Sequence, residues 1–248
     1  MSFILEIAVF NICSALAAEK AGADRIELCE NPAEGGTTPS FGTLKIVREK
    51  INIPVFPIVR PRGGDFLYSN EEFEVIKKDV RLIKDLGFEG IVVGLLKKDG
   101  TIDIGRTGKL IELAYPMEVT FHRAFDRAAE PLHALEEIIT CGCQRILTSG
   151  QISSALDGKE LIKQLIERAD ERIIIMPGSG VRSNNITELA TYTNAQELHS
   201  SARKMISSQM EFIQKSMKED LGNIFVDVEE IKMMREALKP AKSTNGGL

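Results

Sequence analysis

The chain has no tryptophan, only 6% aromatic residues and four cysteines among 248 residues. Four thiols (Cys13, Cys29, Cys141, Cys143), scattered along a chain of this size, do not make a disulfide framework. They read as free thiols in a reducing compartment. No apolar run reaches the length needed to span a bilayer, so no membrane partner is expected. The first residues, Met1-Ser2-Phe3-Ile4-Leu5-Glu6, lack the basic and apolar regions of a signal peptide, and a cytoplasmic location is the expectation. There is no excess of basic residues either. The formal net charge is −5, which excludes the electrostatic footprint of a nucleic-acid-binding protein.

What is present is a regular alternation. Strand-like runs occur at Phe3–Val9, Asp24–Cys29, Pro54–Arg60, Gly90–Gly94, Met117–His122, Arg145–Thr148, Arg172–Met176 and Glu197–His199. Helical patterns separate them, with capping candidates at Ser69 or Asn70, at Asp103 and at Asn184 or Asn185. Eight βα units in a row predict a single α/β domain, a (β/α)8 TIM barrel. An open doubly wound sheet is disfavoured, because Phe10-Asn11-Ile12 after the first strand is no glycine-rich fingerprint. The barrel is assigned to residues 1–201. A C-terminal helical segment follows at 202–238, loop-like around Met205–Met210 and helical over Val228–Leu238. Residues 239–248 are expected to be a disordered tail.

The strand ends carry the chemistry. The fifth strand runs from Val119-Thr120-Phe121 into His122-Arg123-Ala124-Phe125-Asp126, placing an imidazole, a guanidinium and a carboxylate within five positions. Glu6 on the first strand, Glu27 on the second, Arg60 on the third and His199 on the eighth stand at comparable positions. Because alternate residues share a face, these side chains can all point into one mouth and compensate one another. Glu6, Glu27, Arg60, His122, Arg123, Asp126 and His199 are therefore the candidate catalytic residues. After the seventh strand comes Pro177-Gly178-Ser179-Gly180-Val181, and after the eighth Ser200-Ser201. Loops in those places commonly hold an anion through backbone N–H donors. Arg62, Ser149, Gly178, Ser179, Gly180, Ser200 and Ser201 are the candidate binding residues for a small anionic ligand.

Several long motifs resemble the CutC family, known as copper-homeostasis proteins. They are Leu5-Glu6, Gly22-Ala23-Asp24-Arg25-Ile26-Glu27-Leu28-Cys29, Glu34-Gly35-Gly36-Thr37-Thr38-Pro39-Ser40 and Arg60-Pro61-Arg62-Gly63-Gly64-Asp65-Phe66-Leu67-Tyr68, followed by Thr120–Asp126, Leu147-Thr148-Ser149-Gly150 and Met176–Val181. The resemblance implies a cytosolic barrel, a homo-oligomer with a dimer favoured, and Cu(I) bound through cysteine, here Cys29. Two departures stand out. Ala8 replaces a cysteine that many such sequences carry at the end of the first strand, and Ser179 replaces a glycine of the usual Pro-Gly-Gly-Gly motif. Two readings follow: a copper-handling protein, and an enzyme acting on a small anionic metabolite, phosphorylated ones included. In the second, His122 and Glu27 are acid and base while Arg60, Arg62 and Arg123 hold anionic groups.

Overall fold

Each strand buries one face against helices and the other in the barrel interior, and this double burial sets the architecture. A computed structural model describes residues 3–239. The strands are β1 (Ile4–Val9), β2 (Arg25–Leu28), β3 (Val55–Pro57), β4 (Gly90–Val93), β5 (Glu118–Phe121), β6 (Arg145–Thr148), β7 (Ile174–Pro177) and β8 (Glu197–Ser200). Between them lie α1 (Ile12–Ala21), α2 (Phe41–Lys50), α3 (Asn70–Asp85), α4 (Ile104–Ala114), α5 (Pro131–Cys141), α6 (Lys159–Ala169) and α7 (Ile186–Thr193). The strands pair in parallel as two arcs, β3-β2-β1-β8 and β4-β5-β6-β7. A bridge between Ile58 and Val92 joins β3 to β4, and β7 lies beside β8, so the ring is closed as the alternation predicts.

Local chemistry fixes the helix ends. The Asn11 side chain accepts from the Ser14 N–H at 2.8 Å and starts α1. Of the two candidates for α3, Ser69 is the cap, and it forms a reciprocal capping box with Glu72. Asn185 precedes α7 but does not cap it, because its Oδ1 accepts from the Arg182 N–H instead.

The C-terminal segment differs from a simple helical extension. After β8 the chain forms a two-stranded antiparallel pair, β9 (Arg203–Ile206) and β10 (Asn223–Val226), and then α8 (Val228–Ala237). Helix α8 packs between α7 and α1 and supplies the eighth helix of the barrel. The alternation of β9 is hidden because all four of its residues are exposed, leaving no apolar face to reveal it. Of the tail assigned to disorder, everything after Lys239 lies outside the described residues. Among the described residues no helix is long and apolar enough to cross a membrane.

The apolar core is mostly a shell. Leu5, Ile7, Val9, Ile26, Leu28, Ile91, Val93, Val119 and Phe121 point outward from the strands into one large cluster with the helices. Inside the barrel the apolar cluster is small, comprising Cys29, Phe56, Ile58 and Val92 with Phe10 against them. Beside it, Glu6, Arg25, Glu27, Arg145 and Glu197 bring charged groups into the interior.

Candidate active site

Inward residues of successive strands form a continuous chain of ion pairs. At the base, Arg145 bonds Glu118 at 2.7 Å and Glu197 at 2.8 Å. Glu197 also receives Arg25 at 2.5 Å, and the other edge of Arg25 bonds Glu6 at 2.5 Å. Both guanidinium groups lie over the Phe56 ring, with Arg25 5.1 Å and Arg145 5.3 Å from its centroid. The register accounts for this order, since Glu6 stands opposite Arg25 on one side and His199 on the other. Burial alone would raise the Glu6 carboxyl, but Arg25 and His199 outweigh it and hold it at about 2. Glu6 is therefore an anion at every working pH.

Above this ladder the pairing becomes incomplete. His199 Nδ1 meets Glu6 Oε1 at 2.7 Å, while its Nε2 stands 3.7 Å from Glu27 Oε2. Burial works against a charged His199, yet Glu6 and Glu27 raise its pKa above the ordinary value. Glu27 lacks the guanidinium bonds that Glu6 has. Burial pushes its carboxyl up to about 7, the neighbouring Glu6 adds to the rise and His199 opposes it. Such a group takes up and releases a proton near neutrality.

His122 is different again. Its Nδ1 accepts from the Ala124 N–H at 3.1 Å, so the neutral ring carries its proton on Nε2. That Nε2 is buried with no partner among the described residues. Burial, then the positive charge of Arg60, lowers its pKa to about 3. Gly94 makes room for the ring, because a Cβ there would lie 2.3 Å from Nδ1. Arg60, only 4% exposed, is gripped by carbonyls: Nη1 donates to Glu34 at 2.5 Å and to Gly36 at 2.8 Å, and Nη2 donates to Gly64 at 2.8 Å. Its Nε has no partner, and no carboxylate pairs with it among the described residues. Phe66 covers both groups, with its ring centroid 4.9 Å from the Arg60 guanidinium and 4.9 Å from the His122 ring.

These residues open onto a cavity of about 290 Å³ at the C-terminal ends of the strands. Glu27, Cys29, Arg60, His122, Arg123, Ser179, Gly180, His199, Ser200 and Ser201 all line it, together with Ala8, Phe66, Arg182 and Arg203. Glu6 lies below, in contact with His199. Besides Glu6, four of the candidate residues stand apart from the cavity lining. Asp126 is an organiser of loops: it accepts from Arg123 Nε at 2.7 Å, Thr148 Oγ1 at 2.5 Å and the backbone N–H groups of Ser149 and Gln151. Ser149 belongs to that cluster, with its hydroxyl bonded to Arg123 and Asp126. Arg62 is drawn outward to Glu72 at 2.5 Å and Asp65 at 3.0 Å, which neutralise it. Gly178 is packed under the site, where a Cβ would come within 2.5 Å of Leu147 and 3.1 Å of His199.

Arg25, Glu197 and Arg145 are not among the sequence candidates, though the first two sit at alternate positions to Glu27 and His199 and so share their faces. Nor are Phe66, Arg182 and Arg203. Phe66 lies inside a quoted motif, but only folding shows it resting on two strands' functional groups. Arg203 has no local signal at all.

The donor set does not suit a soft metal ion. Cys29 is 1% exposed, and burial followed by the adjacent Glu27 pushes its thiol well above the ordinary value, opposing the thiolate that Cu(I) requires. A second soft atom of the interior, Met176 Sδ, accepts from Arg25 at 3.3 Å. Among the described residues no group of three or more His, Cys, Asp or Glu is placed to hold a metal. Cys141 ends α5 and Cys143 follows two residues later, away from this mouth, and burial raises both thiols.

The model of the CutC family matches residues 3–204, the stretch that carries all of this geometry. The chain belongs to the CutC family. A family protein CutC of Chromobacterium violaceum is 45% identical over 247 residues, spanning 97% of this chain and all of that protein. The human copper homeostasis protein cutC homolog is 50% identical over 210 residues, covering 85% of this chain and 77% of the human one. Among solved structures, a CutC of Streptococcus agalactiae superposes with a TM-score of 0.77 at 30% identity, over 80% of this chain and 98% of that one. This family membership and the closed ring agree on a TIM-barrel fold.

Proposed function

We propose that this CutC-family chain is an enzyme that moves a proton on a small anionic metabolite bound in the cavity. The observation that carries the reading is the contrast between two buried carboxyls that flank one histidine, His199: Glu6 held at about 2 and Glu27 raised to about 7. Environments that push titratable neighbours apart assign acid–base roles. Glu27 is the base. It takes a proton from a carbon next to a carbonyl, and the electron pair passes to the carbonyl oxygen. The Nε2–H of neutral His122 stands ready to donate to that oxygen as its charge develops. His199, fixed by Glu6, orients Glu27 and compensates its charge once ionised. Arg60 supplies the positive charge that retains the substrate's anionic group.

Deuterium wash-in from solvent, followed by NMR over a panel of small keto and hydroxy acids and their phosphates, tests this. Wild type is expected to exchange at least one of them, with Glu27→Gln slowing exchange by about 10²–10⁴-fold. No exchange with any compound, or exchange that Glu27→Gln leaves unchanged, would contradict it.

The second reading is copper binding, supported by Cys29 lining the same cavity as His199 and by the name that the human relative carries. It centres on Cys29, since Ala8 offers no second thiol. Titrating Cu(I) against wild type and Cys29→Ser checks it. Weak binding lost on substitution supports a site at this mouth, and tight binding that survives substitution places the metal elsewhere.

A further inference from the structure

Of the arginines in the interior and around the mouth, Arg25 and Arg145 sit in the ladder, Arg62 is tied to Glu72 of α3 and Arg123 to Asp126. Arg60, Arg182 and Arg203 have no carboxylate partner among the described residues, and all three line the same cavity. They are not together. Arg60 follows β3, whereas Arg182 follows β7 and Arg203 opens β9 just after β8. In a closed ring of eight parallel strands, β3 and β7 are four strands apart in either direction, so these charges face each other across the mouth. Arg182 Nη2 donates to the Arg203 carbonyl at 3.1 Å, which holds those two side by side. Gly180, at φ +72°, turns the backbone of the same pole, beside the Ser200 and Ser201 loop. Glu27, His199 and His122 lie between the poles.

Arg60, buried without a carboxylate, is a cost in the empty protein that an anionic group removes, and Arg182 with Arg203 places a second positive pole at the other end of the cavity, ready for a second anionic group. We infer that the substrate carries an anionic group at each end, one retained by Arg60 and the other by Arg182 and Arg203 with the 179–181 loop. The carbon skeleton between them is short, because about 290 Å³ is at the lower bound of ligand pockets. Of the two poles, the one after β7 and β8 suits a phosphate, since two arginines, the turn at Gly180 and the Ser200–Ser201 segment line it. The Arg60 pole, with a single unpartnered Nε, suits a carboxylate. This rests on the anionic-metabolite reading and narrows its substrate class to small phosphocarboxylates and dicarboxylates.

Isothermal titration of the full chain with 2-phosphoglycolate, inorganic phosphate and glycolate is the test. Phosphoglycolate is expected to bind at least about tenfold more tightly than either fragment, the equivalent of one further charge-assisted contact. Arg60→Gln is expected to bring it to the level of phosphate, and the double variant Arg182→Gln/Arg203→Gln to the level of glycolate. Equal affinity for phosphoglycolate and phosphate in wild type, or an advantage that survives the double variant, would overturn the inference. The double variant changes partly or fully exposed side chains, so it remains decisive if Arg60→Gln does not fold. Glu27→Gln is expected to keep the two-ended preference. Preference without deuterium exchange would therefore refute the proton-transfer reading while leaving this inference standing, and exchange without preference would do the reverse.

Discussion

The base and the mouth of the barrel interior use the same residue types and treat them oppositely. At the base, Glu118, Arg145, Glu197, Arg25 and Glu6 alternate in sign, and each guanidinium has two carboxylate partners. At the mouth, Arg60 has carbonyls only, His122 Nε2 has nothing and Glu27 has a histidine at 3.7 Å. A satisfied buried network specifies packing, whereas an unsatisfied one is tolerated where a ligand completes it. The lesson is that charge inside this barrel does not mark the site. Missing partners do.

Breaking the base should have the largest effect. Glu197→Ala leaves Arg25 and Arg145 each short of a partner in the interior, and about 3–5 kcal/mol of stability is expected to be lost in urea unfolding. A loss under about 1 kcal/mol would mean the ladder is not a structural unit.

At the mouth the effects depend on pH. His122 has a folded pKa of about 3 against an ordinary 6.5, so the unfolded chain binds its proton more readily. The stability it contributes is complete above 6.5 and declines as pH falls toward 3, by about 1.4 kcal/mol per unit. Wild type is expected to lose roughly 2–3 kcal/mol more than His122→Gln between pH 6 and pH 4, measured by denaturant titration at each pH. Parallel curves would refute a buried neutral imidazole.

Glu27 runs in the other direction. Its folded pKa of about 7 exceeds the ordinary 4.5, so its cost is absent below 4.5, grows up to 7 and is constant beyond. Glu27→Gln is expected to stabilise the protein by about 3 kcal/mol at pH 8 and by almost nothing at pH 4. Uniform destabilisation would place Glu27 with the satisfied residues of the base. The smallest expected effect is at Ser179, which adopts φ +89° and is held there by its hydroxyl bonding the Ser153 carbonyl at 2.8 Å. Ser179→Gly should relieve that conformation and raise stability by about 1 kcal/mol, less the lost hydrogen bond. A clear loss would show that the hydrogen bond outweighs the backbone strain.

The difference between base and mouth also explains what could be read beforehand. The eight βα units were legible because each strand has to bury apolar residues on its outer face, and the short runs with glycine closures at Gly22 and Gly142 punctuate them. Strand-end residues such as His122 and His199 were legible because position along a strand is a local property. Which of them lack partners was not, since Glu6 meets His199 across 193 residues and Arg25 meets Glu197 across 172. Arg62 and Asp126 show the same limit from the other side. Both sit in strand-end motifs, and only the fold shows that Glu72 and the Thr148–Gln151 loop occupy them.

The central claim is that Glu27 lacks the compensation Glu6 enjoys and therefore titrates in the working range. Carbon-13 NMR of protein labelled at glutamate side-chain carboxyls, comparing wild type with Glu27→Gln across pH 3–9, measures this directly. One carboxyl resonance, absent from Glu27→Gln, is expected to titrate near 7. If the resonance lost in Glu27→Gln titrates near the ordinary 4.5, the mouth is as well compensated as the base and the claim is wrong.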